Sequence, residues 1–196
     1  MPIEVKLNCF HVISIHTSIE LIVRVALERL KLEKRQPGNM STNSEWLRHF
    51  LASIAYYATK ALKDAPDNYP ELDIGKGVRT PRRLLHHIIG VLIYAHSFYV
   101  HYETTRLPQG SWNEKVTLFY ETLAKLDKSI SEGKPLGVIE EQLLQGPLSD
   151  SMAHIGQLLM LRRLSGSPVS SENFLFADIK VGQVGPNQPN PVAPDL

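Results

Sequence analysis

From residue 44 onward the chain is paced almost throughout at the helical interval, and proline and glycine mark where each stretch starts and stops. Leu47, Leu51, Ile54, Ala58 and Ala61 predict a helix over 44–64, stopped by Pro66. Thr80-Pro81 is an N-cap followed by proline at the first helical position, and it opens a second helix over 81–103 through Leu84, His87, Val91, Tyr94 and Phe98. After a linker with Pro108 and Gly110, a third helix over 112–132 buries Val116, Phe119, Leu123, Leu126 and Ile130 and ends at Gly133-Lys134-Pro135. A short turn over 138–145 breaks at Gly146-Pro147. Pro147 then opens a fourth long helix that runs to Ser165 and closes on Gly166. No stretch carries a credible strand pattern. The expectation is an all-α fold, a four-helix bundle over 40–168, with an extension before it and an irregular tail over 169–196.

The extension, 1–39, is apolar from Phe10 to Leu30 but carries His16, Glu20, Arg24, Glu28 and Arg29. That is too much charge for a span and the wrong layout for a signal peptide, so an amphipathic helix is expected. The tail holds Pro186, Pro189, Pro191 and Pro194, with an apolar knot at Phe174, Leu175, Phe176 and Ile179 expected to pack on the bundle. The 21 lysines and arginines nearly cancel the 20 acids, leaving +1, so no general pull toward nucleic acid or anionic membrane follows. Cys9 is the sole cysteine, which excludes an internal disulfide and suits a reducing cytoplasm.

Chemistry-bearing residues concentrate in the fourth helix. Asp150 and His154 are four apart and stack on one face. Such a pair is either a plain hydrogen bond or two ligands of a metal ion, and a third ligand decides between them. His87, on the apolar stripe of the second helix, is the candidate. In a simple up-and-down bundle the second and fourth helices run parallel, which sets the three side chains at similar depth, with helix N-termini adding positive potential. His86 points about 100° away from His87. His96 and His101 are expected at the surface or an interface, His49 has no partner at ligand spacing, and Arg162 and Arg163 read as cations opposing their own helix dipole. Lys76, Arg79, Arg82 and Arg83 form a small basic cluster, without the interleaved aromatics that single-strand binding uses.

Two stretches, RTPRRLLHHIIGVLIYAH and SDSMAHIGQLLMLRRLSG, resemble the second and fourth helices of the DinB-like superfamily, four-helix bundles associated with metal-dependent chemistry. The resemblance covers residues 42–168. It implies that His87, Asp150 and His154 ligate a divalent metal, zinc or nickel. The usual family pattern has histidine where this chain has Asp150, but the related mycothiol-dependent maleylpyruvate isomerases carry a carboxylate there. It further implies a thiol-dependent S-transferase or isomerase that uses a low-molecular-weight thiol, with Gln157 as a catalytic, substrate-orienting residue. The partners expected are a small-molecule substrate and a second copy of the chain, with no nucleic acid and no membrane. The competing reading is a non-catalytic bundle that dimerises or binds a small ligand, in which Asp150 is simply bonded to His154.

Overall fold

A computed structural model of the chain describes residues 43–101 and 107–192. The helix expected within 1–39 lies outside the described residues. Those described are all-helical, with no strand among them, and form a helical bundle. Four long elements build it: α1 (Asn43–Leu62), α2 (Pro81–His96), α3 (Trp112–Glu132) and α5 (Ser149–Leu164). The short α4 (Glu140–Leu143) and a π-helical turn at Leu144–Leu148 lead straight into α5. No helix among the described residues is long and apolar enough to cross a membrane.

Local chemistry explains the boundaries that match the sequence reading. Thr80 caps α2 ahead of Pro81. Ser111 caps α3 through a reciprocal box with Glu114, which satisfies two free N–H groups at once. After α5, Gly166 takes a left-handed turn at φ 79°. Its N–H and that of Ser167 return to the carbonyls of Arg163 and Arg162, a Schellman closure.

Two boundaries and two positions differ from expectation. α2 ends at His96 rather than 103, because the Ser97 hydroxyl takes the Tyr94 carbonyl and the Phe98 carbonyl leaves the helix to accept from Leu136 N–H. Gly146-Pro147 does not break the chain. Proline lacks an N–H and crowds the carbonyl four residues back, so the helix widens by one residue, and the Ser149 and Ser151 hydroxyls bond the Leu144 and Pro147 carbonyls. Val116 is only half-buried, and Tyr94, expected on the inward stripe of α2, is exposed.

The packing order also differs from a simple up-and-down bundle. Each helix has two neighbours, in the ring α1–α3–α2–α5. Arg48 near the start of α1 pairs with Asp127 near the end of α3, so those two are antiparallel. His86 meets Lys115 and His96 meets Ser129, so α2 and α3 run parallel. Arg162 reaches the last turn of α1, so α1 and α5 run parallel. Val91 and Tyr94 then lie against the start of α5, and Val78 and Arg79 against its end, so α2 and α5 are antiparallel. The core between the four includes Leu51, Ile54, Leu85, Ile88, Ile89, Phe119, Leu123, Ile155 and Leu158, all fully buried. Each contributes about 1.5–3 kcal/mol by leaving water.

The tail adds Val184 to this core and stacks Phe174 on Tyr57 at 3.9 Å, but Leu175 of the expected knot is exposed. Buried Glu172 bonds the Tyr56 hydroxyl and the Lys60 ammonium, fastening the tail to α1.

His96, expected at the surface or an interface, is buried against α3 and shares a hydrogen bond with the Ser129 hydroxyl at 2.9 Å. Burial, then Lys125, holds its pKa below the usual histidine value of 6.5. The unfolded ring therefore takes a proton before the folded one. Its contribution to stability is complete above about pH 6.5 and declines as pH falls through that value. Urea midpoints at pH 7.5 and 5.5 should show the loss, and it should shrink in His96→Gln.

Candidate metal centre

The wall between α2 and α5 brings His87, Asp150 and His154 together, with one ligand atom from each lying within 4.8 Å of the others. Four-residue spacing on α5 sets Asp150 and His154 on one face, and the antiparallel α2 presents His87 from across the seam. The three meet partway along the wall, not at a shared mouth of two parallel helices. Residues before Ser149 are already helical, so Asp150 gains no field from a free helix N-terminus. That part of the sequence expectation is corrected.

The separations bear on both readings of the pair. Asp150 directs Oδ2 at His87 Nε2, 3.6 Å away, and Oδ1 at His154 Nε2, 3.4 Å away. Both exceed the 2.7–3.2 Å range of a good N–H···O bond. Two ligand atoms on a tetrahedral ion, each about 2.1 Å from it, stand about 3.4 Å apart. The His154 side chain is 14% exposed, and its other nitrogen, Nδ1, is buried with no hydrogen bond among the described residues. Two nitrogens and an oxygen form a donor set for a borderline divalent ion and leave positions open for another ligand. The group could hold a metal ion.

Access is from outside, since His87 is 36% and Asp150 47% exposed. Burial lowers the His87 pKa, and Arg79 and His154 add to the shift, outweighing Asp150. The ring is thus kept neutral, as a ligand must be. The two imidazoles meet edge to face at 4.7 Å.

A groove of about 770 Å³ borders His154, walled by Ile74, Val78, Gly156, Gln157 and Met160. Gln157 is exposed on this groove, one turn beyond Ala153, and makes no hydrogen bond to the three among the described residues. A Cβ on Gly156 would meet nothing within 4 Å, so close packing does not demand glycine there. Gly156→Ala should therefore raise stability by about 0.5–1 kcal/mol in urea unfolding, the usual gain for alanine over glycine inside a helix.

The remaining basic and imidazole residues fall elsewhere. His86 bonds Lys115, and His49 and His101 are exposed. Arg162 and Arg163 both lie in the last turn of α5; Arg163 is exposed, whereas Arg162 is 5% exposed and also bonds to the end of α1. No protein-family model, curated protein or solved structure matches the chain.

Proposed function

We propose that the chain is a divalent-metal-dependent enzyme acting on a small molecule, of the thiol-dependent S-transferase or isomerase type found in the DinB-like superfamily. His87, Asp150 and His154 would hold the ion, with zinc or nickel suited to two imidazoles and a carboxylate. Bound there, such an ion makes a thiol or water acidic near neutral pH and polarises a substrate oxygen.

The chain's own residues divide the remaining work. Asp150 offers a separate oxygen toward each imidazole, which sets the distance between them. His154 is the buried anchor, and His87 is the half-exposed member at the rim. Gln157 carries an amide on the adjoining groove, where it can orient a bound molecule with one donor and one acceptor. The observation that supports this reading is the pair of N···O separations, too long for hydrogen bonds and suited to neighbouring ligands.

The test is metal content by mass spectrometry on untagged protein after reconstitution with zinc or nickel and desalting. One ion per chain is expected. Folded protein that retains none would leave a non-catalytic bundle as the reading.

A further inference from the structure

On the His87 side of the three residues lies a second cavity, of about 340 Å³, and its wall is cationic: Arg79, Arg82, Arg83 and Lys115, with His86 and His87. Because α2 and α3 run parallel, their N-terminal turns stand side by side here. Arg82 and Arg83 belong to the first turn of α2, which has no acid, and Lys115 to that of α3. Cations are disfavoured at that end of a helix, where free N–H groups already carry positive partial charge. Residues that break such a local rule commonly mark a functional site.

Each nearby carboxylate already has a partner, one of them a cation of this wall. Glu71 bonds Arg82, Glu114 turns back to the Ser111 N–H, and Asp150 faces the histidines. Lys115 is 3% exposed, and its ammonium has only neutral partners among the described residues: His86 Nδ1 at 3.0 Å and the Pro108 carbonyl at 3.2 Å. Burial and the adjacent Arg82 lower its pKa. A buried ammonium with no carboxylate bonded to it, and only Glu114 acting on it from beside, is costly, and an anion in the cavity would relieve that cost.

We propose that this cavity is the subsite for the anionic end of a small-molecule substrate, a carboxylate or phosphate held by Lys115, Arg79 and Arg83, with the reactive part reaching toward His87, Asp150 and His154. Its catalytic meaning rests on the metal-centre reading above, whereas the anion binding itself needs no metal. The volume is at the small end for ligand pockets, and no phenylalanine, tyrosine or tryptophan lines the wall, which favours a small anion over a nucleic-acid strand.

Metal-free protein titrated by calorimetry with inorganic phosphate, and separately with succinate, tests the proposal. One site per chain is expected for at least one anion, and the stronger of the two identifies the group recognised. Lys115→Met and Arg79→Ala should each weaken binding by about tenfold or more. Lys115→Met removes an unmatched charge, so in anion-free buffer it should melt no lower than wild type, and it should lose the upward shift that the anion gives wild type. His154→Ala should still bind the anion, which separates failure of the metal centre from failure of this subsite. The proposal is overturned if neither anion binds wild type at millimolar concentration, or if both cation variants bind as wild type does.

Discussion

Arg162→Met should lower stability by about 3–4 kcal/mol in urea unfolding, the largest loss expected from any single polar side chain here. The guanidinium is buried and directs all three nitrogens at acceptors. Nη1 donates to the carbonyls of Ala61 and Lys63, Nη2 to the Asp64 carbonyl and the Ser167 hydroxyl, and Nε to the Ser167 carbonyl. These carbonyls end α1, where Asp64 takes a left-handed conformation at φ 50° and the helix cannot satisfy its own last acceptors. The guanidinium also lies 5.5 Å from the centre of the Tyr69 ring, whose hydroxyl bonds the Leu158 carbonyl. One side chain thus joins the ends of α1 and α5 to the loop that closes the bundle. Methionine would keep the apolar stem but strand the carbonyls. Lysine would restore the charge yet not the planar fork, and should recover less than half of the loss. For a chain of this length the melting temperature should fall by about 10 °C. Exposed Arg163→Met, its neighbour, should change stability by less than about 0.5 kcal/mol. Equal, small effects at both positions would refute this role for Arg162.

Neither neighbouring arginine reveals its role in the sequence, and the reason is distance along the chain. The signals that mark the start of α2, the start of α3 and the end of α5 act within three or four residues: Thr80-Pro81, Ser111 with Glu114, and Gly166 after Leu164. The acceptors of Arg162 on α1 lie about a hundred positions away, and nothing local distinguishes Arg162 from Arg163. His96 was likewise misplaced, because its partner Ser129 comes from another helix. Periodicity also cannot choose among ring orders, since any order buries the same stripes. The parallel placement of α2 and α5 was therefore wrong although both helices were found. His87, Asp150 and His154 still meet, because facing stripes bring residues together across an antiparallel seam as readily as across a parallel one. At Pro147 the reading erred differently. Proline signals a break, but two serine hydroxyls downstream take up the displaced carbonyls, and the helix continues through a widened turn.

Removing one imidazole from the three-residue group should weaken metal binding by more than about 100-fold, beyond the 10–100-fold typical when a group that merely supports a ligand is lost. His154→Ala is the sharper variant, because its ring is the most buried of the three and Nδ1 has no hydrogen bond to lose. His87→Ala should match it. Asp150→Asn keeps an oxygen but removes the negative charge, and should fall between those variants and wild type. The same ion should report through stability. At a hundred times its dissociation constant it adds about 2.7 kcal/mol to wild type, or roughly 5–10 °C in melting temperature, and that shift should vanish in both histidine variants. Protons compete for the same nitrogens, so affinity should decline in acid. For His87 the competition is delayed, because burial and the nearby Arg79 hold its pKa low. If the three residues instead form only a polar contact, His154→Ala would leave metal uptake unchanged. Together these variants therefore distinguish a coordinating seam between α2 and α5 from a merely packed one.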